Sequence, residues 1–175
     1  MHKFFHDLRF GLFSIQSGVT STSIVLTPIV GKVALIWFVV RNVTGLSGSN
    51  YWNFQAIKDF ALLSRSSTNI VGGQAIPSTI ALQYLNLYWC RSSYTTETSL
   101  GITDNNANVY CWSFSADPLE ALSSGKLLGS KQFTGAEQLQ IIFTASLTEN
   151  VQVDLYAMTE SILEIGSNYV KKLST

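Results

Sequence analysis

Val109-Tyr110-Cys111-Trp112-Ser113-Phe114-Ser115-Ala116-Asp117-Pro118 opens the stretch that decides the fold. An aromatic strand runs into an Asp-Pro turn, then into a loop holding Ser123-Ser124-Gly125 and Phe133-Thr134-Gly135-Ala136. A second apolar run follows in Leu139-Gln140-Ile141-Ile142-Phe143-Thr144-Ala145. Beyond it, Val151-Gln152-Val153-Asp154-Leu155-Tyr156-Ala157 has a period of two, with a Val/Val/Leu/Ala face opposite a Gln/Asp/Tyr face. That alternation is the mark of a half-buried strand. Residues used this way build a β-barrel or sandwich, not a pocket for chemistry.

Working outward, residues 10–16 alternate and form the first strand, and the β-branched residues 22–26 form the second. Pro28 and Gly31 interrupt before a strong strand at 33–41, whose apolar run reads as buried on both faces. That run has eight residues between Lys32 and Arg41, too short to span a bilayer. A turn-forming cluster, 44–50, precedes a predicted helix over 51–63, with Asn50 as its cap. Residues 68–71 make a short strand. Pro77 suits the first turn of a second helix over 78–90, although Ile80, Leu82 and Tyr84 also alternate as a strand would. Residues 138–146 and 151–158 pair as a hairpin around 147–150, followed by a short strand at 161–165. The whole chain, 1–175, reads as one domain with an N-terminal arm over 1–9 and a C-terminal tail over 166–175.

Composition bounds the partners. The chain is 46% hydrophobic and only 13% charged, against roughly 25% charged in a typical soluble domain. Much of its surface therefore suits cover by neighbours. Eleven Lys/Arg balance eleven Asp/Glu, so no net charge opposes association. The same balance argues against direct nucleic-acid contact, which needs clustered Lys/Arg to displace counterions. Cys90 and Cys111 sit among aromatic residues and read as buried reduced thiols. Asn42-Val43-Thr44 matches a glycosylation acceptor, a tripeptide that is common by chance.

Enzyme chemistry lacks its parts. The only histidines, His2 and His6, lie at the extreme N-terminus. Their spacing would put both on one helical face, but a lone pair is a weak metal site and solvated terminal histidines are the simpler reading. There is no Gly-x-Ser-x-Gly elbow and no phosphate-binding loop. No two carboxylates are fixed across a cleft as a glycosidase requires. No catalytic residue, metal or cofactor is assigned. A carbohydrate-binding role would use an exposed aromatic platform, for which Trp52 beside its Gly/Ser/Asn loop is the candidate. Trp37 and Trp112 lie in apolar strands and read as core.

The aromatic-Ser-Phe-Ser-x-Asp-Pro motif, the Ser-Gly loop and the following Leu-rich strand are similar to the C-terminal jelly roll of double-jelly-roll major capsid proteins. These are the coat proteins of adenoviruses, virophages, large DNA viruses and some membrane-containing phages. Upstream, Gly31-Lys32-Val33-Ala34-Leu35-Ile36-Trp37-Phe38-Val39-Val40-Arg41-Asn42 resembles that family's apolar-Trp-apolar-Val-Arg-Asn strand. It follows a Leu-x-Pro-x-x-Gly approach at Leu26, Pro28 and Gly31, and the Asn69-Ile70-Val71-Gly72-Gly73 turn stands in the same order. The resemblance covers residues 26–165. One departure matters: 175 residues make one jelly roll, whereas the family's proteins carry two.

The resemblance implies an all-β fold, an antiparallel jelly-roll β-sandwich with one or two short helices in its connections. It implies a structural role as a viral coat subunit or domain. Partners are further copies and neighbouring capsid subunits in a trimeric capsomer of an icosahedral virion assembled inside the host cell. Contact with the genome is then indirect, across an internal membrane or through minor capsid proteins. Interface candidates are Phe4 and Phe5, in an arm with no core of its own, and Trp52 and Phe54, flanking a loop; the alternative for each is satellite core packing. A single-barrel penton or minor capsid subunit and a carbohydrate-binding jelly roll are the competing readings.

Overall fold

A computed structural model describes residues 2–43, 54–64, 76–77, 108–116 and 129–173, with the backbone alone for 2–6 and 76–77. Every regular element among them is a strand: β1 (His2–Ile15), β2 (Ser21–Val25), β3 (Val30–Asn42), β4 (Asp59–Leu63), β5 (Ile76–Pro77), β6 (Val109–Ser113), β7 (Lys131–Thr134), β8 (Gln138–Ile142), β9 (Val151–Ile165) and β10 (Val170–Leu173). They form two antiparallel sheets. One has the order β1-β9-β3-β6, with β10 added to β9 and β7 added to β3; the other is β2-β8-β4-β5. Early and late strands interleave in each sheet, which is the wrapping of a jelly roll.

Burial follows the alternation read from the sequence. Val151, Val153, Leu155 and Ala157 of β9 face the inter-sheet core, together with Phe38 and Val40 of β3 and Phe60 and Leu62 of β4. Phe38 stands edge-on to Phe60 at 5.2 Å between ring centroids and tilts against Tyr110 at 5.4 Å. Burying each such side chain contributes on the order of 1.5–3 kcal/mol.

β3 has a bulge. Val33 pairs with Thr159 and Leu35 with Met158, leaving Ala34 as the extra residue. The insertion changes parity, so Val33 before it and Ile36 after it both reach the main core. The Ala34 carbonyl accepts from the amides of Phe114 (2.8 Å) and Ser115 (3.1 Å), which turns the chain away at the end of β6. Another crossing lies between β7 and β8, in opposite sheets. There the buried Glu137 carboxylate accepts from the amides of Thr134 (2.8 Å) and Gly135 (3.0 Å). Gly135 has φ +83°, and a Cβ on it would stand 2.9 Å from the Thr27 carbonyl oxygen, so the turn requires glycine.

Several expectations are corrected. Residues 59–63, predicted as the end of a helix, are strand β4, paired with β8 from Asp59↔Ile142 to Leu63↔Gln138. The run Phe60-Ala61-Leu62 fits either period, and the waiting edge of β8 decides. The predicted hairpin between 138–146 and 151–158 does not form, because β8 and β9 lie in different sheets. Their connection crosses the barrel end, where Phe143 N–H donates to the Thr20 carbonyl and Leu147 N–H to that of Val19. The expected arm is the front of β1, which pairs with β9 from His2↔Glu164 onward. His2 and His6 lie four residues apart on this strand, about 13 Å along the backbone, and not on the helical face that their spacing would suit. The strand expected at 161–165 is the end of β9, and part of the expected tail is β10. The predicted strand at 68–71, the alternative helix or strand at 78–90, and Cys90 lie outside the described residues.

Candidate interaction surfaces

The outer face of the β1-β9-β3-β6 sheet is built in rows by the strand register. Phe10 of β1, Tyr156 of β9, Trp37 of β3 and Cys111 of β6 stand side by side. The Phe10 and Tyr156 rings are 4.7 Å apart, and Trp37 stacks on Tyr156 at 5.7 Å and 11°. On one side of this aromatic row lie Leu8, Met158 and Leu35; on the other lie Leu12, Asp154 and Val39. Asp154 is the charged member of these rows, and Arg41 Nε sits 2.7 Å from its carboxylate. Gln152 Nε2 donates to the same group at 2.6 Å.

Outer faces of antiparallel sandwiches ordinarily alternate to polar residues. Here the centre is apolar. Ala34, Leu35, Cys111 and Met158 form a small second core with Trp37 packed against it, while Leu8, Phe10 and Leu12 remain exposed. Trp37, expected in the main core, thus belongs to this outer cluster; Trp112 is the one that packs on the main core. Cys111 is a free buried thiol, and burial pushes its pKa up to about 12.

The four interface candidates fare differently. Phe4 and Phe5 lie in β1 opposite Ile162 and Ser161, and their side chains are outside the described residues, as is Trp52 altogether. Phe54 is half-buried, in a backbone bridge to Arg41, and its carbonyl accepts from Asn108 Nδ2 at 2.9 Å. Sequence reading missed Leu8, Phe10 and Leu12. The boundary placed at residue 10 divides their i, i+2, i+4 spacing, leaving Leu8 in the expected arm and Phe10 and Leu12 in the first strand.

Small pockets occur among the described residues. One, of about 280 Å³, lies at the barrel end between Asn42, Gln55, Phe143 and Glu149. Another, of about 170 Å³, is lined by Arg9, Thr159, Glu160 and Lys172. Both fall below the roughly 300–1,000 Å³ of typical small-molecule sites. The outer sheet face is the feature of greater extent.

No protein-family model matches the sequence, and no curated protein matches it. Solved structures match in fold. The Faustovirus major capsid protein superposes with a TM-score of 0.66 at 7% identity, covering 94% of this chain and 34% of that one. The quasi-atomic model of the PBCV-1 virus capsid gives 0.61 at 9% identity, covering 100% of this chain and 52% of that one. The chain therefore spans between a third and about half the length of these proteins. The interleaved sheet order and these superpositions together show a jelly-roll fold similar to that of those viral capsid proteins.

Proposed function

We propose that the chain is a coat subunit, or one barrel of a coat subunit, of an icosahedral viral capsid. The observation that carries the reading is the coverage: 94% of the chain superposes on a major capsid protein. The mechanism is shape and burial. A rigid two-sheet barrel presents charge-poor flanks that bury against adjacent barrels, and stable interfaces of this sort remove on the order of 1,600 Å² from water. Zero net charge leaves copies free to approach. Neighbouring subunits in a trimeric capsomer are the partners, the virion is the location, and assembly takes place inside the host cell. No catalytic step and no direct contact with nucleic acid form part of the role; minor capsid proteins or an internal membrane stand between shell and genome.

Native mass by light scattering over a hundredfold range of concentration tests this. Trimers or larger rings are the expected outcome, with negative-stain images showing barrel clusters. A monomer at every concentration overturns it.

A further inference from the structure

Leu8, Phe10 and Leu12 project from β1 at 56%, 43% and 54% exposure, beside an aromatic row that is itself half-buried. Among the described residues, β1 pairs with β9 alone, so it is an edge strand carrying exposed apolar groups. Natural edge strands are ordinarily blunted by charge or proline. This one carries Asp7 and Arg9 on the opposite side of the strand, tied to each other at 3.5 Å, and leaves the outer side uncharged from Leu8 to Leu12. A face of that kind marks a contact surface.

We infer that this outer face docks a second copy of the same chain, belonging to an adjacent capsomer rather than to the same trimer, in an isologous contact centred on Phe10. The inference rests on the coat reading for the premise that copies meet. Three observations select a second copy as the occupant. The first is symmetry. A two-fold axis across β1 at Phe10 sets Phe10 against Phe10 of the other copy and Leu8 against Leu12, so the patch is its own complement.

The second is charge. Asp154, the acid in the three central rows, is matched by Arg41 of the same chain, so the middle of the face offers nothing to an oppositely charged partner. The third is area. Large side chains offer on the order of 150–200 Å² each, so the exposed trio presents roughly 250–300 Å². Half-buried Trp37, Tyr156 and Val39 extend it. A standard contact buries about 800 Å² per partner, somewhat over half of it apolar, or about 450 Å². The face supplies the apolar centre of one such contact.

The test compares the full chain with Leu8→Lys/Leu12→Lys, and Phe10→Cys with Val170→Cys, a control on β10 that at 66% exposed is more accessible than Phe10. Thermal melting of each variant establishes that it folds. The double lysine variant is expected to weaken self-association at least tenfold by sedimentation, because each substitution is felt twice across the axis. Phe10→Cys is expected to form disulfide-linked dimers under mild oxidation, well ahead of Val170→Cys and of the unsubstituted chain. Unchanged assembly of a folded lysine variant, or Phe10→Cys linking no faster than the control, overturns this surface and leaves the coat reading standing. A link that forms only to an unlike, co-expressed barrel overturns the choice of partner. Absence of any self-association in the unsubstituted chain overturns the coat reading and this surface together.

Discussion

Tyr110 shows how much one side chain organises. Its ring is 1% exposed and packs on Phe38, while its hydroxyl accepts the Ile57 amide at 2.9 Å and donates to Asn108 Oδ1 at 3.2 Å. Asn108 passes the connection to the Phe54 carbonyl, so β6 holds the segment leading into β4. Burial raises the phenol's pKa, keeping it a donor at any physiological pH. Tyr110→Phe keeps the packing but leaves the buried Ile57 N–H unsatisfied, and is expected to lower stability by about 1–3 kcal/mol in urea denaturation. Its neighbour Cys111 faces the other way. With its pKa near 12 it holds essentially no thiolate at neutral pH, so peptide mapping after iodoacetamide is expected to find Cys111 unmodified in the native chain and fully modified in urea.

Among the elements, β10 is the least embedded, with four residues of which three are exposed. Lys172 bonds across β9 to the Asp7 carboxylate, and this hydrogen bond, then the charges of Lys172 and Arg9, hold Asp7 below the usual carboxylate range. A depressed carboxylate stabilises above its unfolded pKa of about 3.9, and that contribution is lost as pH falls through the lower folded value. The protection of residues 170–173 against hydrogen exchange, taken relative to the unfolded-peptide rate at the same pH, is therefore expected to fall below about pH 4, and Asp7→Asn to lower it already at neutral pH. Strand identity was largely legible: β9 announces itself by alternation, β2 by its β-branched residues, and β3 and β6 by their apolar and aromatic runs. Strand pairing was not. Nothing local in 138–158 tells a hairpin from a crossing, because β2, which pairs with β8, and β1 and β3, which flank β9, lie more than a hundred residues upstream. β4 failed for the opposite reason, since five apolar-rich residues fit a helix face until an adjacent strand edge selects extension. The outer patch was hidden by the same blindness. Alternation in β1 says that two faces exist, and only the sheet order says which of them a second layer covers.

For the molecule as a whole, the interleaving of early and late strands means that neither sheet is a continuous piece of chain. Ser14 bonds opposite Gln152, and β3 is flanked by β9 and β6. Domains dominated by such distant pairings fold slowly, in milliseconds to seconds, because loop closure precedes the contacts that reward it. There is a consequence for a chain made from one end to the other. Tyr156, the centre of the aromatic row, leaves the ribosome well after Phe10 does, so the row does not exist on a partly made chain. Synthesis of β9 thus acts as a clock: the surface through which copies meet comes into being only when nearly all of the barrel is present to support it.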